Sequence, residues 1–580
     1  MFFGLLGLAW FVSALLFFDG GIRIMEFLVC MGGLMKERLK LRKGETLASL
    51  LDEKQRNDFV CARIEGKIYE LSHVFERDGE AEVEFLSVED PEGIRIYVTS
   101  LRFLVSMAVK LCFPKLDVRI FYNISRSFFI RVVQGKKTYS VNQAFLDEVK
   151  RKMEDIIKAD VPLSRVKVKK DEALSIYHEL GFQDKIQVLR YRKEDFVHLY
   201  QAVFDGIVYS DYLYEKMVMS TGCLSRFKLF LYAPGMMLQV PRSEFNGDIP
   251  EFKDEINFAS ALSTNSRWAE ENTLDTVVGI NRFVKNYGSM ALINVCETRF
   301  NNQLAKLGEI ILSNPETIRC ICIAGPSSSG KTSFSNRLMF ELMSHGLRPI
   351  RISMDDFYKI PEEMSEKTDI ESVEAINVEL FNTLISRLVS GESVSLPQYD
   401  FKKHERSYRK AIQVGEKEPL IIEGIHALNP GLITQISPIQ KFRIYISPQP
   451  QMNLDNHTPL SMTYMRLLRR IVRDSRTRNS DARETIDMWD NVRKGEFRYI
   501  YPNQENADFV FDSFMHYELC ALRNFALPLL EKVRPDDKEY QIAFRLKQMV
   551  RYFVPIPISD IPCNSVVREF VGGSSFKDAR

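Results

Sequence analysis

ICIAGPSSSGKTSFSNRL, residues 321–338, decides how the second half of the chain is read. An apolar run ends in Gly325, and Gly330, Lys331 and Thr332 complete the pattern G-x-x-x-x-G-K-[ST] at the point where helical periodicity begins. Strand, glycine-rich turn and helix in that order make a phosphate cradle. Glycines let the backbone approach phosphate oxygens, and the helix N-terminus adds a favourable dipole. Gly325, Ser327, Ser328, Ser329, Gly330, Lys331, Thr332 and Ser333 are therefore the predicted nucleotide-binding turn, with Lys331 on the outer phosphates and Thr332 on Mg²⁺.

Around this turn, "IRCICIAG", "RPIRISMDD", "PLIIEG", "FRIYIS" and "ADFVF" alternate with helical segments. Strands separated by helices predict a parallel sheet covered on both faces. The run "RISMDDFYK" ends in Asp355 and Asp356 at the carboxyl edge of its strand, where open α/β sheets place ligands. A carboxylate there takes the proton of an attacking hydroxyl; the alternative is a helix cap. Phe357 and Tyr358 would wall a small acceptor's pocket. Glu423 closes "PLIIEG", where a buried carboxylate needs a compensating cation, and Mg²⁺ meets that need. In "LPQYDFKKHERSY", Tyr399, Phe401 and His404 lie on an expected loop or hairpin able to stack on a ring. "MRLLRRIVRDSRTRN" sets Arg466, Arg469, Arg470 and Arg473 largely along one helical face, either a solvated surface or a phosphate-closing lid.

The chain has 580 residues, enough for two to four domains. With 78 basic and 77 acidic side chains there is no global field for nucleic acid, so any basic site is local. Nine cysteines lack metal-like spacing and read as reduced core thiols of a cytoplasmic protein. Met1–Phe18 is uncharged and long enough for a membrane anchor, unless translation starts at Met25 or Met35. The chain divides into this segment (1–24), a small α+β module (25–90) and a second α+β domain (91–241). A linker and helix (242–313), the phosphate-binding domain (314–515) and C-terminal helices with a tail (516–580) follow.

The cradle, "DDFY", "YDFKKH", "IIEGIHAL" and "RRIVRDSRTR", in this order, resemble the uridine kinase branch of the uridine kinase/phosphoribulokinase family, over roughly 318–513. The resemblance implies an α/β P-loop kinase domain that transfers phosphate from ATP, with Mg²⁺, to a nucleoside 5′-hydroxyl, uridine or cytidine in the first instance. It implies Asp355 as base, with Lys331, Arg473 and Arg478 at the phosphoryl group and Thr332 and Glu423 at the metal. Tyr358, Tyr399, Phe401 and His404 would surround the base, Glu371 would meet the ribose hydroxyls, and Arg470 would join the lid. Asn377 and Asn479 stand where the family often has Asp and Gly.

Residues 25–241 resemble the TGS and editing-type domains of threonyl-tRNA synthetase. Phe103 and Met107 replace the two histidines of its H-x-x-x-H helix, so metal binding and editing chemistry are not expected. A front half of this kind raises an RNA contact and a binding, regulatory or structural role. A sugar-phosphate kinase and an RNA-binding, translation-linked ATPase remain the alternatives. The motifs leave open the donor's base, the preferred acceptor and the oligomeric state.

Overall fold

Short runs rich in β-branched and aromatic residues build a parallel sheet in the second half of the chain. Its strands are β1 (Cys320–Ala324), β2 (Ile350–Ser353), β3 (Leu420–Glu423), β4 (Lys441–Ser447) and β5 (Phe509–Asp512). Their order is β2-β3-β1-β4-β5, all parallel. Every residue of β1 and β3 is buried, as expected for central strands covered on both faces. The register puts Ile323 beside Glu423 and Glu423 beside Ser353, so three strand ends deliver the glycine-rich turn, Glu423 and Asp355 to one edge. Gly424 allows this closeness: a Cβ there would stand 2.6 Å from the Cβ of Met354.

The computed structural model describes residues 11–18, 21–28, 35–135, 137–192, 194–314, 317–365, 371–400, 403–415 and 418–576. They form two units, one of residues 1–254, 453–459 and 534–541, the other of 255–452, 460–533 and 542–580. The second unit is the α/β P-loop domain. Helix α1 (Lys331–Ser344) follows the turn, and α2 (Met462–Thr477), α3 (Glu518–Leu530) and α4 (Val567–Val571) come later. Residues 256–271, within the stretch expected to be a linker, are helical: Phe258, Leu262 and Ala269 bury one face. Asn265 is tolerated on that face because its Nδ2 donates to Gln449 Oε1 at 3.0 Å. The helix expected within 242–313 is broken at Gly288, whose φ of 86° separates Val277–Tyr287 from Ser289–Leu312.

The first unit is α+β and antiparallel. A four-stranded sheet has the order Met35–Leu41, Gly79–Ser87, Phe59–Ile64, Lys67–Glu70. A five-stranded and a three-stranded antiparallel sheet follow. The helix Pro91–Cys112 is capped by Asp90, which accepts from the N–H of Glu92 and of Gly93. Phe103 and Met107 are buried on it, and Phe103 meets Tyr209 edge-on at 5.0 Å.

Residues 1–10 of the apolar start lie outside the described residues. Phe11–Phe18 is a strand paired antiparallel with Gly21–Leu28. Among the described residues no helix is long and apolar enough to cross a membrane. Eight described cysteines are unbridged, with Cys320 and Cys322 side by side on β1.

Candidate active site

The turn between β1 and α1 is held from behind by arginines. Arg466 donates from Nε to the carbonyl of Ser327 at 2.9 Å, and Arg469 from Nη1 to those of Ser328 and Ser329 at 3.3 Å. Both guanidinium groups are buried and paired, with Glu496 and Glu518 respectively. A lid role for these two is thereby corrected: their donors are committed to turn carbonyls, which leaves the turn's N–H groups to face inward. Arg470 differs, donating from Nη1 to the Ser327 hydroxyl at 3.0 Å. Ser328 takes a φ of 60° and Gly330 one of 88°, the left-handed conformations that wrap the loop. The Ser328 and Ser329 hydroxyl oxygens are buried without a hydrogen-bond partner. Lys331 Nζ meanwhile donates to the Gly325 and Pro326 carbonyls at 3.0 and 3.4 Å. Orphaned hydroxyls and an inward ammonium fit a phosphate chain.

Asp355 follows β2 in a single 3₁₀ turn, Met354–Phe357, and caps no helix. Its side chain is exposed, yet the surrounding protein desolvates the carboxyl and raises its pKa against the opposing charges of Lys331, Arg478 and Arg473. Glu423 is buried; burial, then the charge of Asp355, push it up to about 7 despite Lys331 and Arg351. Sequence reasoning missed Arg351, whose Nη1 lies 3.4 Å from Glu423 Oε1. Its signal was the alternation of "RIS", which aims Arg351 and Ser353 to the same side. Asp356 is structural, accepting from Tyr399 N–H at 3.3 Å and from Arg409 at 2.9 Å.

The side expected to receive an acceptor carries the hairpin Pro397–Asp400/Glu405–Tyr408. Tyr399 and Tyr358 are buried together, ring centroids 6.0 Å apart, and Arg406 ties the hairpin to the Tyr358 carbonyl at 2.8 Å. His404 stands exposed at the hairpin turn, with φ 56°. Phe401 lies outside the described residues. Glu371 packs on Gly495, where a Cβ would come within 2.6 Å of the Glu371 Cβ. Arg470, Arg473 and Arg478 gather round the buried Asp474 at 3.3, 2.8 and 3.7 Å. Asn377 caps the helix Val378–Val389, and Asn479 adopts the φ of 55° that explains Gly at such a place.

Thr332 lies half-buried in the first turn of α1. Among the described residues no three His, Cys, Asp or Glu side chains are grouped to hold a metal by themselves. Mg²⁺ suits this set nonetheless: it is usually held by one or two protein oxygens together with phosphates and water. The buried Glu423 carboxyl, with its raised pKa, gains from such a cation.

The first unit holds another buried polar cluster. Ser106 Oγ is 2.9 Å from His457 Nε2, and His457 Nδ1 is 2.7 Å from Asp211, the spacing of a nucleophile, a base and its orienting carboxylate. Asp117, 3.0 Å from Nε2, changes the chemistry. Burial alone would lower the His457 pKa, but Asp211 and Asp117 prevail and raise it to about 10. An imidazolium accepts no proton from Ser106. Lys185, 2.7 Å from Asp211 and 3.3 Å from Asp455, completes a structural ion network.

Residues 320–519 match the Phosphoribulokinase / Uridine kinase family. The uridine kinase of Macrococcus caseolyticus is 30% identical over 195 residues, covering 33% of this chain and 85% of that protein. Uridine kinase-like protein 5 of Arabidopsis thaliana is 28% identical over 195 residues, 33% of this chain but 38% of that protein. A threonine–tRNA ligase of Marinobacter nauticus is 27% identical over 180 residues, 29% of this chain and 25% of the ligase. The chain thus spans less than two thirds of the plant protein and of the ligase.

Proposed function

We propose a nucleoside phosphorylation from one premise: the chain belongs, through residues 320–519, to the phosphoribulokinase/uridine kinase family. Membership carries a kinase-type phosphotransferase activity. The finer reading is ATP-dependent transfer of the γ-phosphate to the 5′-hydroxyl of uridine or cytidine, a cytoplasmic reaction.

The observation that supports it is the placing of Asp355. Its carboxyl stands at the sheet edge under the influence of Lys331, Arg473 and Arg478, and beside the strand end that leads to Tyr358. In this reading Asp355 takes the proton of the attacking hydroxyl, and its raised pKa makes it the better base. Lys331, Arg473 and Arg478 balance charge on the phosphoryl oxygens, while Tyr358 and Tyr399 wall the base and Glu371 orients the ribose. Thr332 and Glu423 would hold Mg²⁺, which when bound neutralises charge on the phosphates.

A screen of the full chain with ATP and Mg²⁺ against nucleosides and sugar phosphates tests this. Uridine or cytidine as preferred acceptor supports it. Preference for a sugar phosphate refutes it, as does ATP hydrolysis indifferent to small acceptors but responsive to tRNA, the outcome that the ligase similarity would favour.

A further inference from the structure

Among the described residues the last helix, α4, lies on the phosphate-binding turn. Glu569, on α4, places Oε2 3.2 Å from the N–H of Ser333 and 2.8 Å from its hydroxyl. Both are donors in the first turn of α1, where a helix has no internal acceptors for its N–H groups. Glu569 is also one of three carboxylates, after Glu423 and Asp355, whose charge acts on Lys331. Just before it, Val566 crosses the turn so closely that a Cβ on Gly330 would meet its Cγ2 at 2.4 Å.

The segment is fastened rather than draped. Arg476 donates from Nη1 to the Phe570 carbonyl at 2.8 Å, and the Arg469 guanidinium lies 4.8 Å from the Phe570 ring centroid. Ser565 and Tyr517 share a hydroxyl contact of 2.7 Å, and Val566, Val567 and Phe570 are buried. An acidic side chain is thus buried where the turn's backbone N–H groups cradle the inner phosphates of a nucleotide. A carboxylate and a phosphate cannot share one N–H and one hydroxyl: their charges repel, and the donors have no spare protons.

We propose that residues 565–573 are a built-in stand-in for the donor nucleotide, Glu569 holding the place of an inner phosphate on Ser333, and that the nucleotide enters when this segment leaves. The state described here is the self-occupied one. Its population divides the intrinsic donor affinity, so any change that frees the segment tightens ATP binding without a new contact. The inference rests on the P-loop reading of the donor site and not on which acceptor is used.

The test measures binding of ATP with Mg²⁺ to the full chain by calorimetry, with no acceptor present. Glu569→Gln keeps the shape and removes the charge; it should tighten ATP binding about ten-fold or more. Arg476→Ala, which releases the Phe570 carbonyl, should act in the same direction. In the unsubstituted chain, ATP with Mg²⁺ should raise hydrogen exchange across 565–573. Unchanged or weaker binding by folded Glu569→Gln, with no change in exchange, overturns the stand-in while leaving the kinase reading intact. No ATP binding by any of the three proteins overturns the kinase reading and this inference with it.

Discussion

Arg351 and Glu423, on adjacent parallel strands, bring a guanidinium within 3.4 Å of a carboxylate at the edge where phosphates are expected. The carboxylate is therefore neither isolated nor fully neutralised: its pKa stays up at about 7 because burial and Asp355 outweigh Arg351 and Lys331. A carboxyl in that condition is receptive to a further cation. Glu423→Gln should leave the fold intact and raise the Mg²⁺ concentration for half-maximal turnover about 10- to 100-fold. An Mg²⁺ titration of initial rate checks this.

Glu371 and Gly495 give a handle on the acceptor alone. Since a Cβ on Gly495 would stand 2.6 Å from the Glu371 Cβ, Gly495→Ala must displace Glu371. The nucleoside KM should rise roughly ten-fold while the ATP KM stays unchanged, the pattern of a lost ground-state contact. Steady-state kinetics with each substrate varied in turn separates the two.

His457 sets the pH response of the first unit. Its pKa is about 10 folded against an ordinary 6.5. Between those values the folded protein holds one proton more than the unfolded chain, so stability is fully present below about pH 6.5 and falls as pH rises toward 10. His457→Ala takes one cation from Asp211, which keeps Lys185 at 2.7 Å, and leaves Asp117 with Asn456, so the first unit should lose about 1–3 kcal/mol. Thermal unfolding followed from pH 6 to 10 should show the slope in the natural chain and its loss in the variant.

The sheet and its working edge were legible because β1 and β3 are unbroken apolar runs ending in a glycine or a carboxylate. Asp355 and Glu423 could be placed from chain order alone. The hairpin carrying Tyr399 was legible as a turn flanked by aromatic residues. The division of labour among the arginines was not. A 3.6-residue period groups Arg466, Arg469, Arg470 and Arg473, yet burial against Glu496 and Glu518 turns the first two toward turn carbonyls, and those partners lie 30 and 49 residues away. Residues 453–459, between β4 and α2 in sequence, belong to the first unit, where His457, Asp455 and Asn453 find buried partners. Glu569 carries no local signal either, being one acidic residue in the apolar stretch "SVVREFV". Non-local pairing decided each of these cases, and periodicity does not report it.

The account turns on Asp355 as the group that deprotonates the acceptor. Turnover of uridine with ATP and Mg²⁺ by Asp355→Asn, compared with the natural chain, tests it most directly, with ATP binding measured on the same samples. The expected result is a fall in kcat of roughly 10²–10⁴-fold with ATP affinity essentially kept. Phosphorylation at the natural rate by the variant would contradict it.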